Sequence, residues 1–256
     1  MPSVWKADRI RSETTTIFAE MSALALETQS VNLGQGFPDT DGPPFVLEEA
    51  RAAIAAGINQ YPPGRGILPL RQAIAQHSSR HYGLSYDPES EVLVTTGATE
   101  ALAASILAFV NPGDEVIALE PFYDSYAASI ELAGGQRVGV GLFGPDFQLD
   151  QAELSAAFTP KTKALLINSP HNPTGAVLNR DDLATIAELA VQHDVLVICD
   201  EVYEHLTFDA AEHLPLATFP GMRERTVRIS SAAKTFSVTG WKIGWAVATP
   251  ELINEV

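Results

Sequence analysis

Short runs rich in β-branched residues alternate with longer stretches of helical periodicity along most of the chain. Strands are predicted over Glu91–Thr95, Glu115–Leu119, Arg137–Val140, Ala164–Asn168, Val195–Cys199, Thr226–Ser230 and Ile243–Ala248. Helical patterns cover Leu68–Tyr82, Thr99–Val110, Ser125–Ala133 and Arg180–His193, and residues 7–26 read as a helix with mixed faces. Turn signals such as Asn111-Pro112-Gly113-Asp114 punctuate the alternation, and VNLGQGFPDTDGPPF, residues 31–45, reads as a loop. This rhythm predicts an α/β domain with a mainly parallel sheet. No internal repeat or low-complexity tract interrupts it. Glu251–Val256 reads as the first turns of a further helix, so sequence beyond Val256 is expected.

Composition narrows the function classes. The chain has 256 residues, enough for one large core, with 46% hydrophobic and 19% charged residues. A net charge of −16 argues against a nucleic-acid footprint, which needs a clustered basic face, and against an anionic membrane surface. The single cysteine, Cys199, leaves no intramolecular disulfide and suits a reducing cytoplasm. The opening MPSVWKADRIRSETT has no apolar core, so no signal peptide is expected, and no apolar run is long enough to span a membrane.

Ligands of open α/β sheets bind outside the carboxyl ends of the strands, which directs attention to the residues just after each strand. VLVTTGATEAL passes through Gly97 into a helix, so Gly97, Ala98 and Thr99 offer free N–H groups to an anion, although many β–α turns look the same. NSPHNPTG, residues 168–175, is a tight turn in which Asn172 is either turn-former or ligand. VICDEVYEHLTF ends an apolar strand on Asp200, which needs a partner because an unpaired buried carboxylate is costly. A helix N-cap or a salt bridge to a buried cation would each serve, and Tyr203 lies three residues on. SSAAKTFSVTGWK places Lys234 and Lys242 eight residues apart in a chain with only 16 Lys+Arg. They are either two solvated loop lysines or an amine beside a phosphate cup.

Together, GATEA, EPFYDSY, SPHNPTG, DEVYEH and SSAAKTFSVTGWK resemble the class I/II aminotransferases of fold type I, which depend on pyridoxal 5′-phosphate. The likeness runs from NLGQGFPD to TGWKIGW. It is greatest to the branch of kynurenine, glutamine and methionine aminotransferases. NQYPPGRG, HLPLATFPGM and SSAAK also resemble N-succinyldiaminopimelate aminotransferases. The resemblance implies a seven-stranded, mainly parallel sheet flanked by helices. It implies that Lys234 holds the cofactor covalently and, once released, carries a proton at the substrate Cα. Asp200 would pair with the pyridine nitrogen, Asn172 and Tyr203 would bond the ring hydroxyl, and Tyr123, rather than Phe122, would stack on the ring. Gly97, Ala98, Thr99, Ser231 and Lys242 would cradle the phosphate. Tyr61 would reach the phosphate of a partner subunit, implying a homodimer, and the backbone at Gly36 would lie by the substrate carboxylate. Cis peptides are implied at Glu120-Pro121 and Asn172-Pro173.

The same resemblance divides the chain into an arm over 1–30, a cofactor-binding large domain over 31–249, and a helix start over 250–256 leading to a small domain beyond the chain. That small domain supplies the family's carboxylate-clamping arginine, and no residue here matches it. The expected activity moves an amino group between an amino acid and a 2-oxo acid. The alternatives are a carbon–sulfur β-lyase on the same scaffold and a non-catalytic cofactor-binding fragment. A transcription regulator with an aminotransferase-like domain is disfavoured, because residues 1–30 are too short and too acidic for a helix-turn-helix.

Overall fold

The structure, a computed structural model, describes Ala7, residues 16–34, Gly36, Pro38 and residues 40–256. Most of the first half of the helix expected over 7–26 therefore lies outside the described residues. The remainder forms α1 (Ile17–Thr28), capped by the Thr16 side chain, which accepts from the Ala19 N–H. α2 (Pro44–Ala55) begins inside the segment read as a loop, with Pro44 in its first turn, where the missing N–H costs nothing. α3 (Leu68–Tyr82) has the bounds predicted and ends on Gly83 at φ 69°, a left-handed conformation that glycine adopts without strain.

The alternation then runs through β1 (Val92–Thr96), α4 (Gly97–Phe109), β2 (Glu115–Glu120), α5 (Ser125–Leu132) and β3 (Gln136–Phe143). It continues with β4 (Gln148–Leu149), α6 (Gln151–Ala157), β5 (Thr162–Asn168), α7 (Arg180–Gln192) and β6 (Leu196–Asp200). β7 (Thr226–Ser231), α8 (Ala232–Thr235), β8 (Ile243–Val247) and α9 (Pro250–Ile253) complete it. The expected sheet of seven strands becomes one of eight, in the order β1-β8-β7-β6-β5-β2-β3-β4, because the two-residue β4 turns back antiparallel onto β3. The short α6, capped by the Asp150 carboxylate, also had no prediction, since seven residues carry too little periodicity to read. α7 starts with a capping box in which Asn179 and Asp182 satisfy each other's backbone N–H groups.

Both faces of the sheet are covered. On β5, Leu165 and Ile167 join one cluster with Leu154 of α6 and Leu183, Ile186 and Ala190 of α7. The alternate residues Ala164 and Leu166 face a second cluster with Leu102 and Ile106 of α4 and Ile130 of α5. This two-sided burial is why the parallel strands read as near-continuous apolar runs. A buried ion pair accompanies the apolar clusters: Arg228 of β7 donates to Glu201 Oε2 from Nε at 2.8 Å and lies 2.6 Å from it through Nη2. Burial alone would push the Glu201 carboxyl up, but the Arg228 guanidinium overrides it and holds the group down at about 2.

One strand orientation decides where the chemistry goes. β5, β6, β7 and β2 are parallel, whereas β8 is antiparallel to both β7 and β1. The start of β8 therefore meets the carboxyl ends of its neighbours, and Gly244 of β8 packs against the first turn of α4. A Cβ at Gly244 would stand 2.4 Å from Ala98 N and from Gly97 C, both backbone atoms that cannot turn aside. Gly244→Ala is expected to cost about 1–3 kcal/mol in urea unfolding, the usual penalty for overpacking, and to displace the α4 N-terminus. An unchanged unfolding midpoint would show that the backbone there yields to a methyl group at no cost.

Candidate functional site

A cavity of about 620 Å³ opens at the carboxyl edge of the sheet. The loops after five strands and the turn before β8 feed it, so residues far apart in sequence converge. Lys234, Asp200, Tyr203, Gly97, Ala98, Thr99, Tyr123, Asn172, Ser231, Lys242 and Gly36 all line it. Of the residues given a role at the site in the sequence, Tyr61 does not, and it is fully exposed. Phe122, ranked behind Tyr123, is instead covered by the Arg137 guanidinium 4.7 Å from its ring centre. Among the described residues no arginine lines the cavity. The peptides Glu120-Pro121 and Asn172-Pro173 are cis, as is Ser169-Pro170, which had not been expected.

Asp200 ends β6 and is 5% exposed. Its carboxylate accepts from the Tyr126 hydroxyl at 2.6 Å and from the Val202 N–H at 3.2 Å, and no cation lies within ion-pair distance among the described residues. Burial pushes its pKa up to about 6, although the Tyr126 hydrogen bond, the Val202 N–H and the Lys234 ammonium pull the other way. Of the two readings of this aspartate, the helix N-cap fails, because no helix starts there; the partner found is a tyrosine hydroxyl.

Lys234 sits in α8, half-buried, with its Nζ 5.5 Å from the Tyr203 ring centre. Burial lowers its pKa and nearby Lys242 lowers it further, while Asp200 opposes both. A larger share of this amine is thus neutral, and available as nucleophile or base, than for a solvated lysine. Burial raises the Tyr203 hydroxyl to about 12, with the neighbouring Asn172 amide acting in the opposite sense. The hydroxyl is therefore a proton donor at neutral pH.

Lys242 lies at the mouth of α4. Gly97, at φ 75°, starts the helix, and a Cβ there would meet Lys242 Cε at 3.4 Å and Nζ at 3.6 Å. The first N–H groups of a helix lack intrahelical partners and carry partial positive charge. With the Lys242 ammonium beside them and Ser231 closing β7 on the same cavity, they make a cradle for a phosphate.

Sequence reading missed several lining residues. Tyr126 lies in the first turn of α5 and Tyr123 just before that helix, with ring centres 5.9 Å apart on the same cavity; the second tyrosine of EPFYDSY was the signal. Asn168 joins two functional strands: its Nδ2 donates to the Asp200 carbonyl at 2.8 Å, and its Oδ1 accepts from the Asn172 N–H at 2.7 Å. Phe18 of α1 comes within 6.3 Å of the Tyr123 ring, ring centre to ring centre. Nothing in the sequence linked a residue of that helix to a position 105 places on.

The cavity therefore combines a buried carboxylate lacking a cation, a phosphate cradle, and an amine within electrostatic reach of both. This set fits pyridoxal 5′-phosphate, whose ring nitrogen, phosphate and aldehyde complement the three. A family profile for aminotransferase class I and II matches residues 28–256. A probable N-succinyldiaminopimelate aminotransferase of Mycobacterium tuberculosis is 62% identical over 250 residues, 97% of this chain and 63% of that protein. The methionine aminotransferase of Escherichia coli is 45% identical over 242 residues, 94% of this chain and 63% of that one. The solved structure of an N-succinyldiaminopimelate aminotransferase from Mycobacterium tuberculosis superposes with a TM-score of 0.95 at 61% identity, over 98% of this chain and 66% of that one. The chain thus spans about two thirds or less of the length of these relatives. By the match across its whole fold, by its level of identity and by the contents of its cavity, the chain belongs to the class I and II aminotransferases.

Proposed function

We propose that the protein transfers an amino group between an amino acid and a 2-oxo acid. Pyridoxal 5′-phosphate is the cofactor of its family. The observation that carries the reading is the meeting of Lys234, Asp200 and Lys242 in one cavity. When bound, the cofactor supplies an electron sink for charge released at the substrate Cα. The chain's own groups divide the remaining work. Lys234 would hold the cofactor covalently through its amine and, once freed from it, would take and return the proton at the substrate Cα. Asp200 stabilises a protonated ring nitrogen by charge, held in line by Tyr126. Tyr203 and Asn172 donate to the ring hydroxyl, and Tyr123 packs on the ring. The α4 N–H groups from Gly97 to Thr99, with Ser231 and Lys242, hold the phosphate, and Gly36 lies by the substrate carboxylate.

Residues 31–249 form the cofactor-binding domain in this reading, with 1–30 as an arm and 250–256 leading onward. Full exposure of Tyr61 supports a homodimer in which that hydroxyl serves the partner's phosphate. The one cysteine, buried in the core, supports a cytoplasmic setting, and no helix among the described residues is long and apolar enough to cross a membrane.

The test is an amino-donor screen with 2-oxoglutarate as acceptor, begun with N-succinyldiaminopimelate because the relative at 62% identity is named for it. Transfer from any donor supports the proposal. Release of pyruvate and ammonia from cystathionine without an oxo acid, and no transfer, replaces it with a β-lyase. Lys242→Ala is expected to raise the Kd for pyridoxal 5′-phosphate about 10- to 100-fold, since one charge-assisted contact is worth about 1.5–3 kcal/mol. At saturating cofactor, borohydride should still label Lys234. An unchanged Kd removes Lys242 from the cradle.

A further inference from the structure

Three of the chain's six histidines gather outside the cofactor cavity, around the end of α3. His77 and His81 stand one turn apart on α3, and His205 follows β6. Their rings converge: the centres are 4.6 Å apart for His77 and His81, 4.9 Å for His77 and His205, and 5.4 Å for His81 and His205. His77 Nε2 lies 2.8 Å from His205 Nε2. Beneath them the buried Glu204 presents a carboxylate, and one ligand atom from each of His77, Glu204 and His205 lies within 4.8 Å of the other two.

We propose that His77, His205 and Glu204, with His81 beside them, form a binding site for a divalent transition-metal ion, zinc foremost. Zinc takes imidazole nitrogens and a carboxylate oxygen in tetrahedral geometry. At Zn–N distances of about 2.0–2.1 Å, tetrahedral ligand atoms lie roughly 3.4 Å apart, so the two Nε2 atoms need to part by about half an ångström. His205 is exposed and free to make that shift. Glu204 is already oriented from behind, its Oε2 accepting from the Tyr82 hydroxyl at 2.7 Å and its Oε1 from the Ser230 hydroxyl. Such outer hydrogen bonds are what fix metal-binding carboxylates. The nearest guanidinium, Arg228, is 3.9 Å from Glu204 but is paired more closely, at 2.6 Å, with Glu201. Nitrogen-rich ligands select zinc, cobalt, nickel or copper over magnesium and calcium. The ion would join α3 to the segment that carries Asp200 and Tyr203, and so stiffen the scaffold behind the cavity without entering it.

Titration of the 256-residue chain with Zn²⁺, followed calorimetrically and by thermal unfolding, tests this. One Zn²⁺ per chain with micromolar or tighter Kd is expected, together with a rise in Tm. Co²⁺ should give the visible absorption of a tetrahedral nitrogen–oxygen site. His77→Ala and His205→Ala should each raise the Kd more than tenfold, and His193→Ala, at the end of α7 against Phe158 and outside the cluster, should leave it unchanged. His205 and His81 are exposed, so their alanine variants keep the test open if His77→Ala does not fold. A Kd above about 1 mM, binding that survives both His205→Ala and His81→Ala, or equal binding of Mg²⁺ would overturn the site. None of these readouts depends on transamination, so the site and the proposed activity fail or stand separately.

Discussion

Replacing Lys234 by alanine is expected to leave pyridoxal 5′-phosphate bound but to cut amino transfer about 10⁴-fold, the upper end of what a positioned general acid–base contributes. Two functions are lost with one amine. On the proposed roles the cofactor would lose its covalent anchor, and the other amine lining the cavity among the described residues is Lys242. Lys242 cannot substitute, because its Nζ lies against Gly97 at the phosphate cradle. It is also exposed, whereas burial already lowers the Lys234 amine. Binding should persist because Asp200, Ser231, Lys242 and the α4 N-terminus are untouched. The measurements are cofactor Kd, borohydride labelling with peptide mapping, and a single-turnover assay. Reduced label on Lys242 in the unsubstituted protein, or a Lys234→Ala variant with more than a tenth of normal turnover, would end the assignment.

Asp200→Asn is expected to slow the proton step about 10²- to 10³-fold, or roughly 3–4 kcal/mol at 1.4 kcal/mol per tenfold. Asparagine keeps the shape and the Tyr126 contact but loses the charge that favours a protonated ring nitrogen. The same substitution makes a stability prediction of opposite sign. In the cofactor-free chain the Asp200 carboxyl has its pKa raised to about 6, against 3.8 for the free group. Between pH 4 and 6 the folded chain thus holds a proton that the unfolded chain has released. Stability falls as pH rises through that window, and the penalty is complete above pH 6. Asp200→Asn removes this penalty, so at pH 7 the cofactor-free variant should be more stable than the parent by about 1–3 kcal/mol, and at pH 4 by little. Urea unfolding at the two pH values measures the difference. Equal effects at pH 4 and pH 7 would mean that Asp200 is not charged at a cost, and that the cofactor has no unpaired carboxylate to neutralise.

Much of the site was readable because its chemistry sits where short-range rules operate. Gly97 before a helix, a proline-bracketed Asn172 and an aspartate ending an apolar strand are each local patterns of strand ends and turns. Residues that act through a distant partner were not readable. Tyr126 gains its meaning from Asp200, 74 residues away, and Glu201 from Arg228, 27 residues away. The convergence of His77 on His205 across 128 residues had no trace in the alternation of polar and apolar positions.

The sequence by itself determined the kind of sheet, most of its strands, the bounds of α3 and many of the residues that line the cavity. These follow from residue-by-residue choices: apolar runs for strands buried on both faces, glycine where φ is positive, and polar groups kept for strand ends. Only the tertiary structure decided that β8 runs against its neighbours and brings Lys242 to the α4 N-terminus, because strand direction is set by pairing and leaves periodicity unchanged. It also decided the fate of the segment before α3. Pro43 and Pro44 signal a break to a local reading, yet a helix starts there, since proline is barred from a helix interior but not from its first turn. None of the residues of α2 is buried. The pairing of Asp200 with Tyr126 was likewise decided only on folding, because a carboxylate taken out of water must find a donor and the sequence does not say which one.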